Sequence, residues 1–112
     1  MINKDRLLKY QRKNRGNNKL INEIDILFRD LEDGSWKTPE ELKKLRIDAD
    51  CVHSDGFYFF NITDHRTMIF IMFNEEEEPE CVWVGNHQEY EKTFKNNKSN
   101  IEKWLRNKEY IK

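Results

Sequence analysis

One stretch of this chain concentrates side chains that move protons or hold anions: Gly85-Asn86-His87-Gln88-Glu89-Tyr90-Glu91-Lys92. The apolar run Val82-Trp83-Val84 precedes it and stops at Gly85, so His87 should emerge where a strand meets a loop. Imidazole exchanges protons near neutral pH and is the natural acid–base group there. If the segment after Asn86 is helical, Tyr90 returns to the face of His87 three residues on. Tyr90 then offers a hydroxyl to a phosphate or a ring to a base. Glu89 and Lys92 complete the set as weaker candidates for contact with a polyanion. Each has a plainer reading: His87 as a cap or surface imidazole, Tyr90 as buried packing.

A second cluster lies upstream, in Thr63-Asp64-His65-Arg66-Thr67. Arg66 opens an apolar run, and a guanidinium at a sheet edge can grip phosphate oxygens in pairs. The alternative is a surface Arg paired with Asp64. His65, beside it in the turn, is a candidate phosphate contact. Asn61 reads as a structural strand residue. The chain has no His-Glu-x-x-His, no trustworthy Ser–His–Asp order and no Gly-rich phosphate loop. Its four glycines argue against a nucleotide cradle.

These residues need a scaffold, and the periodicities supply one. Ile2, Leu7, Leu8 and Tyr10 start a helical pattern near 4–13 that stops at Asn14-Arg15-Gly16-Asn17-Asn18. Leu20, Ile21, Ile24, Leu27, Phe28 and Leu31 recur at helical period over 19–33. Gly34 follows as a candidate C-terminal cap. Thr38-Pro39-Glu40-Glu41 begins a short helix over 39–46, with Thr38 and Glu41 spaced for a capping box. Trp36 just before it should anchor the turn. Strand signals then take over at Cys51–His53, Phe57–Ile62, Thr67–Phe73 and Glu80–Gly85, with Asp55-Gly56 as a hairpin cue. Asn74–Pro79 reads as an acidic loop. Ile101, Trp104 and Leu105 mark a terminal amphipathic helix. The expectation is one α+β domain: a four-stranded antiparallel meander over 51–85 with the N-terminal helices on one face.

The bulk numbers bound the rest. A chain of 112 residues suggests one domain with a modest core. Charged residues make up 37%, mean hydropathy is −1.00, and fourteen aromatics offset the thin apolar content. No run approaches a membrane span. The start lacks the apolar segment of a signal peptide, so a cytoplasmic location is expected. Cys51 and Cys81 read as small strand residues, since neither a disulfide nor zinc has the right context. Net charge is −1, but residues 1–20 carry +6 and Glu75–Glu80 is acidic. Such polarity can steer a polyanion to one face.

Trp36 to Lys43, Phe59-Phe60-Asn61-Ile62 and Val82 to Lys92, in this order and spacing, resemble the HigB family of bacterial toxins. The resemblance spans roughly Trp36 to Lys92 and extends weakly to Ile2–Leu7. It implies a RelE-like fold and a ribosome-associated mRNA endonuclease with no cofactor and no metal. It also implies inhibition by a helix-turn-helix antitoxin of HigA type. RNA carries its own nucleophile, the 2′-hydroxyl. Cleavage needs proton transfer and a cation near the developing charge. The Gly-x-His-x-Glu-Tyr stretch of such sequences falls on Gly85 to Tyr90, and their strand-opening Arg falls on Arg66. The resemblance thus points to catalysis by His87, Arg66 and Tyr90; Lys92, His65 and Glu89 stand beside them as the candidate RNA contacts. This chain departs from the pattern before Arg66, where many relatives carry Gly-Asn and then Tyr. Two other functions fit the residues: a non-catalytic RNA- or protein-binding module of the same fold, and a DNA-binding regulator. The regulator needs a base-reading helix, and none is evident.

Overall fold

The structure is a computed structural model and describes residues 1–73 and 77–112. Three helices come first: α1 (Lys4–Lys13), α2 (Asn18–Asp33) and α3 (Pro39–Leu45). The strands β1 (Asp50–His53), β2 (Phe57–Ile62), β3 (His65–Phe70) and β4 (Glu80–Asn86) follow. Two helices close the order, α4 (His87–Phe94) and α5 (Lys98–Asn107). The strands form one antiparallel sheet in the order β1-β2-β3-β4, the expected α+β meander.

Strand alternation divides the core in two. Tyr58, Phe60, Ile62, Ile69 and Cys81 face Leu7, Leu20, Ile24, Leu27 and Leu42 of the N-terminal helices. Phe57, Phe59, Met68 and Val82 face Tyr90, Phe94, Ile101 and Leu105 of α4 and α5. So α1, α2 and α3 share one face, and the C-terminal helices cover the other. That second layer lets nearly every residue of β2 be apolar: its side chains are buried on both sides, except Asn61.

The local signals mostly do what their chemistry demands. The Asn17 side chain accepts from the Leu20 amide at 3.1 Å and starts α2. Thr38 accepts from the Glu41 amide at 3.1 Å, with Pro39 in the first turn of α3. The reciprocal half of that box differs: the Thr38 hydroxyl donates to the Glu41 carboxylate at 3.4 Å. Trp36 anchors its turn, donating from Nε1 to the Asp30 carbonyl at 2.9 Å. Gly34 ends α2 in an extended conformation, φ −71°, not the left-handed cap that a terminal Gly suggests. Space is its reason, because a Cβ there would lie 2.2 Å from the Asp30 carbonyl oxygen. In α1 only Leu7 is fully buried, and Ile2 and Leu8 stay exposed.

The apolar run Thr67–Phe73 is only partly strand. β3 starts two residues earlier and ends at Phe70, because its partner β2 ends there: Phe57 pairs Phe70 and Ile62 pairs His65. Past that point the chain makes one more bond, from the Ile71 amide to the Gly56 carbonyl at 2.8 Å. Gly56 holds φ +114° in the β1–β2 turn, where a Cβ would strike the Ile71 carbonyl. On β4 a bulge opposes Met68/Ile69 and leaves Val82 unpaired, so Val82 and Trp83 both serve the second core. Of the acidic loop expected at Asn74–Pro79, residues 74–76 lie outside the described residues, while Glu77 and Glu78 are exposed.

Candidate functional site

The β2–β3 turn, the C-terminal end of β4 and the start of α4 meet at one end of the sheet. His65 pairs with Asn86, and Arg66 lies between Asn61 and Gly85. Alternation sends Arg66 to the same face as Met68, under α4. Gly85 has no side chain to oppose it, and a Cβ there would lie 2.6 Å from the Trp83 ring. Arg66 therefore has room to fold over Tyr90, with its guanidinium carbon 4.3 Å from the ring centroid. It does not take the ion pair with Asp64 that a turn Arg suggests.

A complete capping box fixes the first turn of α4. The Glu89 amide donates to the Asn86 side chain at 2.8 Å, and the Asn86 amide donates to the Glu89 carboxylate at 3.0 Å. Sequence reasoning missed this box, although its signature Asn-x-x-Glu is contiguous in the chain. The box places His87 at the helix start with its ring nearly parallel to Tyr90, at 6.3 Å between centroids and 22° between planes. His87 is 60% exposed, and its Nε2 lies 3.6 Å from a Glu91 carboxylate oxygen. The structure thus brings His87 and Arg66 each against the ring of Tyr90, on one face of the sheet.

Tyr90 stands differently from the other two. It is 4% exposed, packed edge-on against Phe59 at 5.1 Å, and its hydroxyl donates to Asn96 at 3.0 Å. Burial raises its pKa, and the neighbouring Arg66 opposes the rise. It is a neutral phenol that supports Arg66, not a ring open to stack on a base. Glu89 is spent on the cap. Lys92 is exposed, and the helical period turns it away from Tyr90 two residues earlier.

His65 departs most from expectation. As the strand neighbour of Arg66 it points to the opposite face, where its Nδ1 meets the Tyr10 hydroxyl at 2.7 Å. Burial, then Glu89 and Asp64, push the Tyr10 hydroxyl up to about 12. Tyr10 therefore keeps its proton and shares a hydrogen bond with Nδ1, while Nε2 lies 3.5 Å from an Asp64 carboxylate oxygen. Half-buried and tied on both sides, this imidazole is a strut between α1 and the turn, not an open phosphate contact. Asp64 is fully exposed; turn hydrogen bonds hold its carboxyl below the ordinary range, then His65 and His87 add to this. Sequence reasoning had no access to the Tyr10 contact, which spans 55 positions. It also set aside Asn61, which is exposed directly across from Arg66.

The family model for HigB_toxin, the RelE-like toxic component of a toxin-antitoxin system, matches residues 21–93. The chain belongs to the HigB toxin family. The match takes in most of α2, all of α3 and the sheet, and almost all of α4, so it contains Arg66, His87 and Tyr90. The sheet and its helices are an α+β fold consistent with RelE-like toxins. As a HigB-family toxin the chain has an antitoxin as its partner. No curated protein and no solved structure matches it. Among the described residues, no helix is long and apolar enough to cross a membrane.

Proposed function

We propose that this HigB-family toxin is an endoribonuclease that arrests growth by cutting mRNA on the ribosome. The observation that carries the reading is an exposed imidazole and a guanidinium gathered on one buried ring, 6.3 Å and 4.3 Å from its centroid. The 2′-hydroxyl attacks the adjacent phosphorus, the bond to the 5′-oxygen breaks, and a 2′,3′-cyclic phosphate and a 5′-hydroxyl result. His87 takes the 2′-hydroxyl proton and returns one to the leaving oxygen, with Glu91 orienting its ring. Arg66 stabilises the extra charge on the phosphorane, held in place by Tyr90. Asn61, opposite Arg66, flanks the same phosphate. The partner in this reading is a helix-turn-helix antitoxin of HigA type, and the protein acts in the cytoplasm.

The test is induction in a host without the antitoxin, followed by growth measurement and mapping of mRNA ends. Wild type should stop growth and leave new ends on ribosome-bound messages. His87→Ala and Arg66→Ala, shown to be folded, should each lower cleavage by ~10²-fold or more. Folded mutants that still arrest growth would remove these residues from the chemistry. A wild type that neither arrests growth nor cuts would favour a non-catalytic binding module of the same fold.

A further inference from the structure

The α1–α2 corner is a basic surface that lies at the same end of the sheet as the candidate site. Between Arg12 and Lys19 the chain carries Arg12, Lys13, Arg15 and Lys19 and no carboxylate. All four are exposed, and none forms an ion pair among the described residues. This contrasts with Lys4 and Lys9 earlier in α1, which lie near Glu32 and Asp5 at 2.7 and 3.9 Å.

Two contacts fix where this corner sits. α1 runs alongside β4, starting with the bridge from Ile2 to Glu80. It reaches the other end at Tyr10, whose hydroxyl binds His65 at 2.7 Å. The last turn of α1 therefore lies beside the residue that precedes Arg66. From the far side, Lys19 lines one groove with Asn61 and Thr63; Glu23 also lines it, as do Asp30 and Asp48, both paired with Arg46. The corner is thus bracketed by the turn that carries Asp64, His65 and Arg66. The acidic residues Glu77, Glu78 and Glu80 are at the opposite end of β4, about 20 Å away by the strand rise. The described acidic residues Glu77, Glu78 and Glu80 are thus separated from the corner by the length of β4.

We infer that the α1–α2 corner binds the backbone of single-stranded RNA and extends the phosphate path that begins at Arg66. The inference rests on the proposed ribonuclease reading for its ligand, but its test does not depend on cleavage. Exposed cations without an ion pair among the described residues suit a flexible phosphate chain, where affinity comes from released counterions.

The experiment measures binding of a short fluorescein-labelled single-stranded RNA across a salt series, in a His87→Ala background so that nothing is cut. The corner variant is Lys13→Gln with Arg15→Gln. The control is Lys98→Gln with Lys103→Gln on α5, which removes the same charge from a helix that packs against β1. Thermal melts confirm that each is folded. The corner variant should bind roughly tenfold more weakly, with the salt slope shallower by about 0.7 for each phosphate that is no longer neutralised. The control should bind like its parent. Equal weakening in both would mean general charge attraction and overturn the proposal, as would no weakening in either. Intact RNA binding with impaired neutralisation by the antitoxin would assign the corner to an acidic protein instead, and also overturns it. If corner-dependent binding holds but wild-type protein never cuts RNA, the ribonuclease reading falls and this surface stands.

Discussion

At the scale of residues, Tyr90 carries two jobs that substitution can separate. Its ring fills the second core and supports Arg66; its hydroxyl donates to Asn96 and is within reach of the Arg66 guanidinium. Tyr90→Phe should cost about 1 kcal/mol, the net worth of one hydrogen bond, and leave cleavage nearly intact. Tyr90→Ala should cost ~3–5 kcal/mol in urea unfolding, as large aromatic deletions do, and abolish activity with the fold. If Tyr90→Phe is as inactive as His87→Ala, the hydroxyl takes part in the chemistry after all. The two cysteines separate in the same way. Cys51 is exposed on one edge strand and Cys81 is buried on the other, about 14 Å apart across three strand spacings and beyond disulfide reach. Burial pushes the Cys81 thiol up to about 11, so at pH 8 it stays protonated. Thiol titration of native protein should show one fast group, and Cys51→Ser should remove it.

At the scale of elements, two junctions set the site and each can be loosened. Asn86 ends β4 and caps α4, so Asn86→Ala should cost about 1 kcal/mol. It should also lower cleavage, because the first turn that holds His87 frays; a stability loss with undiminished cleavage would show that the cap does not position His87. The β2–β3 turn carries Thr63 at φ 65°, where a β-branched residue is unfavourable. Thr63→Asn should raise stability by up to about 1 kcal/mol, read as a higher unfolding midpoint. The start of α1 is pinned by Lys4 to Glu32 at the end of α2. The bond to Lys4, and then the N-terminus, hold the Glu32 carboxyl below its ordinary 4.5. Its contribution is present above that pH and fades as the pH falls through the lowered value. Glu32→Gln should therefore cost at most ~1 kcal/mol at pH 7 and nothing in strong acid.

At the scale of the whole molecule, the sheet is a partition between two cores, and each depends on its own helices. Leu105 is fully buried in the second core. Leu105→Ala should cost ~2–5 kcal/mol, a large share of the 5–15 typical of a domain. Because Tyr90 and Phe94 share that core, the same change should weaken the site from behind, lowering cleavage in protein that is still folded. Charge is partitioned along the other axis, with the basic α1–α2 corner beside the site and the acidic residues at the far end of β4.

The sequence by itself determined most of the elements and their order, with α4 legible only as a conditional helix after Asn86. Helical period in Leu20–Leu31, the Thr38-Pro39 start and the Asp55-Gly56 turn are local signals, and each produced its element. It also named His87 and Tyr90, which one contiguous stretch carries over Gly85–Tyr90, and Arg66, which opens the apolar run upstream. Tertiary structure decided what these residues do together. The true ends of β3 followed from the length of its partner, which periodicity in one strand cannot show. His65 and Arg66 are neighbours in sequence, yet alternation sends them to opposite faces of the sheet, one to Tyr10 and the other to Tyr90. Which partner each residue meets is a matter of register and packing between distant segments, which no local pattern encodes.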